Sequence, residues 1–426
     1  MRTHTAITPL LLVCGLAHAG GPVIDIPPAA LPSEAFFAAN PDATVNVSGG
    51  EVIFPDAGDG TAFTFNGATV NLNSTSASGF FTLDHFIEDM TLNVNTGGEL
   101  VRCKVGGPTG TTVLNIAGGV AERGLWLTDT TMGTMTSGDI GVVGGGQAAM
   151  IVEDFASFDM SGGTIDTFVI FKDDAELTQT GGTIDGPIHL EDRAVATISG
   201  GSSGNNGIMR DPDCVLNIVG GTVGDAFVAD RGTINMSSGG MGDNSALLNG
   251  TGGTDPVMNM TGGALGGSFR AYDGTVNISG GLVGDRFRCG RPTGDGSGVT
   301  CNLLVKSATL GGAPLTLSTT PTVITDRSGA FLSCVLMDDS LVGFTLNESS
   351  GTEDYFRSGA VLTIALGEEP CFADCDGNGS LNVDDIDCFV AGFLGGTLAA
   401  ADCDGNGTLN VDDVDCFVAG FLAGCP

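Results

Sequence analysis

Residues 274–283 read "GTVNISGGLV", and this phrase decides the fold of most of the chain. Apolar and polar residues alternate up to two adjacent glycines, which is the period-2 pattern of a β-strand followed by a bend that glycine permits. A helix would not tolerate this much glycine, since each glycine in a helix interior lowers its stability. The phrase therefore predicts a short strand that ends at a Gly-Gly corner.

Related phrases recur along the chain, for example "TVNVSGGEV", "ASFDMSGGTI" and "PVMNMTGGAL". The glycine pairs begin at positions 49, 97, 118, 162, 181, 200, 220, 239, 262 and 280, mostly 18 to 23 residues apart. One repeat of this length cannot bury its inner face alone, so neighbouring repeats must stack. We predict a mainly β chain that forms a single-stranded parallel β-helix, a solenoid with about three strands in each coil.

Stacked coils place like residues in columns, and two such columns are visible in the sequence. The first is a polar column three or four positions before the glycine pair, formed by Asn46, Asn93, Asn115, Asp159, Asn217, Asn235, Asn259 and Asn277, with Thr134, Thr178 and Thr197 in the other copies. Amides stacked in this way can hydrogen-bond from coil to coil, so we interpret the column as structural. Seven positions after the pair, Phe227, Phe269 and Phe287 predict a column of stacked rings in the core.

The chain divides into five segments by composition. Residues 1–19 have a short basic start, an apolar run and a small-x-small site, which indicate a cleaved secretory signal. Residues 20–299 carry the repeats, and residues 300–366 still have strand patterns and predict a β cap, with Cys301 and Cys334 as a candidate staple. Residues 367–370 form a linker, and residues 371–426 form a separate cysteine-rich module.

The net charge limits the classes of partner that the protein is expected to bind. The chain has 50 acidic and 15 basic residues among 426, a formal net charge of −35. A polyanion would be repelled by such a surface, so nucleic acid is not an expected partner, whereas cations are. We also expect no transmembrane segment in the mature chain, because no later run of apolar residues is long enough to span a bilayer.

The C-terminal module contains the same acidic phrase twice, "DCDGNGSLNVDD" from Asp374 and "DCDGNGTLNVDD" from Asp402. Oxygen-bearing side chains recur at the alternate positions of a twelve-residue calcium loop, and glycine stands at position 6, where such a loop turns sharply. Two calcium ions are therefore expected, with aspartate in place of the usual glutamate at position 12. The candidate ligands are Asp374, Asp376, Asn378, Ser380, Asn382 and Asp385 in the first loop and Asp402, Asp404, Asn406, Thr408, Asn410 and Asp413 in the second.

Each loop runs into a stretch whose apolar residues share one helix face: Phe389, Val390, Phe393 and Leu394, then Phe417, Val418, Phe421 and Leu422. A duplicated loop and exit helix at the end of an exported chain resembles a type I dockerin. This resemblance implies a small α-helical domain that docks through calcium to a cohesin-like or other surface protein. The sequence departs from the dockerin pattern at the Val-Asp pairs 383–384 and 411–412.

Cysteines give the module a further feature. Because loop position 2 and the start of the helix lie at opposite ends of each loop, Cys375 with Cys388 and Cys403 with Cys416 are candidate pairs, with Cys371 and Cys425 joining the ends. Six cysteines allow many other connectivities, so the pairing stays open.

The repeats over about residues 40–300 resemble the parallel β-helices of pectin-lyase-like and secreted adhesin-like families, and the lack of a strict hexapeptide repeat favours the right-handed form. Evidence for catalysis is sparse, since beyond the signal only His85 and His189 remain and no carboxylate cluster is visible. The weak catalytic candidates are Arg270 and Arg288, predicted to stack on adjacent coils. They would hold a uronate carboxylate or, as we favour, form surface ion pairs.

We therefore expect a secreted or cell-surface β-solenoid without catalytic activity, an adhesin, structural or binding protein that is displayed or assembled through its C-terminal module. The alternative is a carbohydrate-active enzyme, a polysaccharide lyase or glycoside hydrolase that carries a dockerin, with a polysaccharide as its ligand.

Overall fold

The computed structural model describes most of the chain. The described residues are 23–26, 33–48, 51–52, 63–73, 76–78, 87–107, 111–141, 148–248, 254–293, 296–348, 353–367, 372–375, 380–397, 401–403 and 407–424. The expected signal at residues 1–19 lies outside them.

Within these residues the chain is mainly β. The strands, in chain order, are β1 Val23–Ile26, β2 Thr44–Ser48, β3 Glu51–Val52, β4 Phe63–Asn73, β5 Ser76–Ser78, β6 Ile87–Asn95, β7 Glu99–Val105, β8 Val113–Leu127, β9 Met132–Gly141, β10 Met150–Val152, β11 Ser157–Met160, β12 Thr164–Ile165, β13 Val169–Phe171, β14 Glu176–Gln179, β15 Thr183–Ile184, β16 Ile188–Leu190, β17 Val195–Ile198, β18 Ser202–Ser203, β19 Ile208–Met209, β20 Val215–Val223, β21 Val228–Ala229, β22 Thr233–Met241, β23 Ala246–Leu247, β24 Val257–Leu265, β25 Arg270–Ala271, β26 Gly274–Val283, β27 Arg288–Cys289, β28 Val299–Leu310, β29 Ala313–Pro314, β30 Thr322–Val323, β31 Ser328–Leu336, β32 Leu341–Asn347, β33 Tyr355–Phe356 and β34 Val361–Leu366. The helices are α1 Glu34–Ala39, α2 Val383–Gly395 and α3 Val411–Ala423.

The architecture is a parallel β-solenoid of about ten turns, as the repeat predicted. Each coil contributes strands to three parallel sheets, which we call A, B and C. In one coil β17 belongs to sheet A, β18 to sheet B and β19 to sheet C, and each pairs with the equivalent strand of the preceding coil. Long strands such as β20 and β24 continue from sheet A around the corner into sheet B. Sheet C contains β10, β13, β16, β19, β21, β23, β25, β27 and β33.

The core lies inside the coils and follows the period-2 pattern. In sheet C, Val152, Phe171, Leu190 and Met209 stand in register on successive strands, and all four are fully buried. Since every coil contributes inward residues at the same positions, one continuous core runs from the first coils into the cap.

The polar column is a hydrogen-bonded ladder, as predicted. In one run the side-chain amide of Asn277 donates to Asn259 at 2.8 Å, Asn259 to Asn235 at 2.9 Å and Asn235 to Asn217 at 3.0 Å. The ladder also includes Asn71 and Asn302, which we did not assign to it. The ladder thus supplies hydrogen-bond partners within the protein to half-buried amide groups on sheet A.

The three phenylalanines are buried in the core as predicted, but they do not form one continuous stack, because the strand register places Ser245 between Phe227 and Phe269. Phe227, Phe269 and Phe287 are all nearly inaccessible to solvent. The rings of Phe269 and Phe287 stack with centroids 5.7 Å apart, and Phe356 continues the stack 5.9 Å from Phe287.

Two different structural requirements place glycine at both positions of the corner at residues 200–201. A Cβ on Gly200 would lie 2.2 Å from the carbonyl oxygen of Thr180 in the preceding coil, which no side chain permits. Gly201 has φ +72°, a left-handed conformation that disfavours other residues. At this corner, close coil spacing requires the first glycine and backbone freedom requires the second.

Residues 300–366 form the expected β structure, but its first strand is also a coil of the solenoid. Strand β28 pairs in parallel with β26 on one side and β34 on the other. Its second half pairs antiparallel with β31, which forms a hairpin with β32. The antiparallel part covers the end of the stack.

The candidate staple between Cys301 and Cys334 is wrong. The Cys301 sulfur lies 2.7 Å from that of Cys289, while Cys334 stands opposite Ala308. Because the repeat is lost after residue 290, repeat spacing could not predict that Cys289 is the neighbour of Cys301. The described cysteines outside the C-terminal module are buried, and none is joined in a disulfide.

Residues 372–424 have a core of their own, built on Ala373, Phe389, Ala401 and Phe417. Helices α2 and α3 confirm the two helical stretches predicted after the acidic loops. Among the described residues, no helix has the length and apolar character needed to cross a bilayer.

The corner at residues 239–240 offers a matched pair of substitutions. A Cβ on Gly239 would lie 1.7 Å from the Gly220 carbonyl oxygen, at φ +76°, whereas one on Gly240 would meet its nearest atom at 3.6 Å. We expect Gly239→Ala to lower the free energy of unfolding by about 2–4 kcal/mol. Gly240→Ala should change it by less than about 1 kcal/mol. Urea unfolding followed by circular dichroism measures both, and equal effects would contradict the close coil spacing.

The Cys289 and Cys301 sulfurs are closer than non-bonded contact allows, so we expect a disulfide after oxidative folding. Exchange with a disulfide oxidant would take two protons and two electrons from the thiols. Burial raises the pKa of Cys214 to about 11 and that of Cys334 to about 12, so these should stay thiols and resist alkylation until unfolding. A non-reducing peptide map tests this, and a Cys301–Cys334 link would contradict it.

Candidate functional site

Both helices of the C-terminal module begin in the same way. The Asn382 Oδ1 accepts the Asp384 backbone N–H at 2.7 Å, and an Asp385 carboxylate oxygen accepts the Asn382 backbone N–H at 2.8 Å. Asn410 repeats this capping box in the second copy. Loop positions 9 and 12 therefore fix the start of each helix as well as the end of each acidic loop.

Carboxylates are buried at both ends of the loops. Asp385 and Asp413, at position 12, are fully buried. At position 1 of the second loop, Asp402 accepts the Gly407 backbone N–H at 2.8 Å with Oδ2, while its Oδ1 is buried without a hydrogen bond. The corresponding Oδ1 of Asp374 is also buried.

A buried carboxylate requires a compensating charge or several hydrogen bonds. Residues 371–426 contain ten aspartates and no lysine, arginine or histidine, so the module has no basic side chain to supply that charge. A hard cation fits this donor set of oxygen atoms, and Ca²⁺ is the ion that loops of this length bind. Gly407 at loop position 6 has φ +78°, as the predicted sharp turn requires.

The described residues contain only part of each predicted ligand set. Asp374, Ser380, Asn382 and Asp385 are described in the first loop, and Asp402, Thr408, Asn410 and Asp413 in the second. Asp376, Asn378, Asp404 and Asn406 lie outside the described residues. Within the described ranges no three His, Cys, Asp or Glu side chains come together closely enough to hold a metal ion.

Disulfides join each loop to its helix. Cys375 pairs with Cys388 and Cys403 with Cys416, both with Cα atoms 5.8 Å apart. These are the two pairs that loop geometry favoured. Cys371 and Cys425, the third candidate pair, lie outside the described residues. Such crosslinks are typical of proteins that fold in an oxidising compartment.

The two helices form an apolar groove. Phe389 and Phe417 stack at its base with ring centroids 4.2 Å apart. Leu394 and Leu422 line it and are 81% and 80% exposed. The sequence placed these residues on one helix face but did not show that the face divides, with rings packed inward and aliphatic side chains left in solvent.

Arg270 and Arg288 stand directly side by side on β25 and β27 of sheet C, as the repeat predicted. Neither forms an ion pair in the part of the chain that the structure describes, so the surface ion-pair interpretation was wrong. His189 belongs to the same outward column, separated from Arg270 by the intervening strands β19, β21 and β23. Burial and then Arg210 lower the pKa of His189, which favours neutral imidazole.

Several other basic residues of the solenoid have acidic partners. Lys104 and Lys172 both contact Glu153, at 3.4 and 2.6 Å, and Lys104 lies 4.3 Å from the centre of the Trp126 ring. Arg193 pairs with Asp174. These pairs hold neighbouring coils together and leave no comparable group of uncompensated cations on that stretch.

Comparison of the chain with protein-family models, with curated proteins and with solved structures found no match. The geometry itself defines a parallel β-solenoid followed by a small, disulfide-bonded helical module with duplicated acidic loops.

Calcium binding can be measured on the full chain by titration calorimetry. We expect about two sites per chain, and Asp402→Ala should remove one by deleting a ligand at loop position 1. Asp415→Ala changes an exposed carboxylate outside the loop and should leave both sites. Unchanged binding in Asp402→Ala, or no calcium uptake by the wild type, would contradict the assignment.

Proposed function

We propose that this protein is a non-catalytic extracellular β-solenoid that is attached or assembled through calcium-dependent docking of its C-terminal module. The observation that carries the proposal is the apolar groove between α2 and α3. Soluble domains rarely leave large aliphatic side chains this exposed in a contiguous patch, and such patches mark interaction sites.

The duplication adds to this argument. The groove-lining residues of α2, among them Val390 and Leu394, have counterparts 28 positions later in Val418 and Leu422. Both copies expose the same aliphatic positions. The surface is therefore repeated in its chemistry, and a partner could contact equivalent side chains from either helix.

Charge around the groove indicates the chemistry of the partner. Asp384, Asp387, Asp412 and Asp415 are exposed on the same two helices, and the module has no basic residue. We propose a cohesin-like or other surface protein that presents an apolar ridge bordered by lysines or arginines. The apolar ridge would supply most of the affinity, and the basic border would select the orientation.

Calcium would make this docking conditional. Asp385 and Asp413 are the last predicted ligands of their loops, and each also caps a helix. A bound ion would compensate these buried carboxylates and so stabilise the start of α2 and α3. Because the groove consists of side chains from both helices, its shape would depend on both loops.

Docking is tested by capturing partners from the organism's surface extract with the immobilised full chain. A partner should be retained with calcium and released by a chelator. Leu394→Glu with Leu422→Glu should reduce capture at least about tenfold, since charges would enter the apolar contact. Leu341→Glu, at another highly exposed leucine in the cap, is the control.

Calcium titration of the double variant separates binding from folding. Retained calcium sites with lost capture support docking through the groove. Partner capture that persists in the double variant, or that is unchanged by the chelator, would contradict the proposed docking.

A further inference from the structure

The end of sheet C concentrates residues that are rare in this chain. Arg270, Arg288 and Arg357 lie there, together with Tyr272 and Tyr355, the only two tyrosines of the chain. Strand register places Arg270, Arg288 and Tyr355 on three successive parallel strands, each directly beside the next. In a protein of net charge −35, this local excess of cations and phenols calls for a physical reason.

The two neighbouring arginines carry like charges that repel each other. Strands in a sheet lie about 4.8 Å apart, so the side chains of Arg270 and Arg288 leave the sheet close together. Like charges placed directly opposite each other are destabilising. The flanking residues Phe269 and Phe287 are buried in the core, which directs both arginines to the outer face.

Donor groups in this cluster lack acceptors. The Nε atoms of Arg270 and Arg288 are buried, and neither has a hydrogen-bond partner among the described residues. Arg270 uses one terminal nitrogen to donate to the Asn244 carbonyl oxygen. Burial and then a side-chain hydrogen bond with Tyr272 raise the pKa of Tyr355, so the two phenols interact with each other. Unsatisfied buried donors are rare in folded proteins and indicate a missing acceptor.

Two of the nearby carboxylates are committed elsewhere. Asp354 precedes Tyr355, but its carboxylate accepts the backbone N–H groups of Phe287 and Thr345 at 2.8 and 3.0 Å. Asp273 pairs with Arg291. These contacts fix the frame around the cluster, and Arg288 forms no ion pair among the described residues.

Arg357 also belongs to this frame. It donates to the carbonyl oxygens of Arg291, Pro292 and Glu348, and its guanidinium lies 5.3 Å from the centre of the Tyr355 ring. A cation against this ring holds the phenol in place while adding positive potential to the same spot.

We propose that Arg270, Arg288 and Tyr355 form an oxyanion-binding site for a ligand that carries a carboxylate or sulfate group. Guanidinium groups pair with planar or tetrahedral oxyanions through parallel N–H donors, and one anion between two arginines would reverse their repulsion. This site lies on the solenoid and does not rest on the docking function of the C-terminal module.

Binding is measured by titration calorimetry on the full chain with two probes, sodium sulfate and an oligogalacturonate, against sodium chloride at matched ionic strength. The wild type should bind at least one probe saturably. Arg288→Gln should weaken binding at least about tenfold. Arg193→Gln, which removes an arginine that has an acidic partner, should leave the affinity unchanged.

Thermal unfolding without ligand gives a second readout that a structural arginine would not share. Arg288→Gln should melt at the wild-type temperature or above, because it removes a repulsive charge with an unsatisfied donor, while Arg193→Gln should not gain stability.

Uptake of oligogalacturonate alone would assign the ligand group as a carboxylate, and uptake of sulfate alone as a sulfate. No saturable binding of either probe, or equal binding by wild type and Arg288→Gln, would overturn the proposal.

Discussion

The close approach of successive coils at the Gly-Gly corner is the constraint on which the rest of the solenoid depends. At Gly200 the backbone of one coil approaches the Thr180 carbonyl of the preceding coil so closely that a single methyl group would not fit. This contact recurs with each repeat, so each coil is fixed in register with the one before it. Register then decides which side chains meet, and a residue's partner is its counterpart one repeat away.

Stacking in register has opposite consequences for different side chains. Amides benefit, since an asparagine can donate to one neighbour and accept from the other, and the ladder on sheet A follows. Aspartates in the turns tolerate stacking because the backbone N–H of Asp192 donates to the Asp211 carboxylate, and that of Asp173 donates to Asp192. These turn residues, at φ near +58° for Asp173 and Asp192, account for part of the negative charge. The stacked pair Arg270 and Arg288 has no comparable partner in the described part of the chain.

Much of this fold was predictable because the repeat carries its own register. The period gave the coils, the alternation gave the inward side chains, and the position before the glycines gave the asparagine ladder. Asn302 and the neighbour of Cys301, Cys289, were missed because the repeat is lost after residue 290, while the chain completes another coil in β28. The absence of an ion pair at Arg288 among the described residues was not predicted. The nearby Asp354 carboxylate accepts backbone N–H groups instead, and the repeat period does not determine the direction of that side chain.

In the C-terminal module, loop spacing predicted the helices and two disulfides, since both follow from short-range geometry. The groove depends on how the two copies pack, and only the stacking of Phe389 on Phe417 shows which side chains remain exposed. We therefore propose a solenoid whose stability does not depend on metal and a C-terminal module whose buried aspartates would bind a cation.

Hydrogen exchange of the full chain with calcium and with chelator tests this division most directly. The account predicts that chelation greatly accelerates exchange of the amides in α2 and α3, while strands such as β20 and β24 keep their protection. Equal protection of both helices with and without calcium would contradict it, as would a loss of protection that extends through the solenoid.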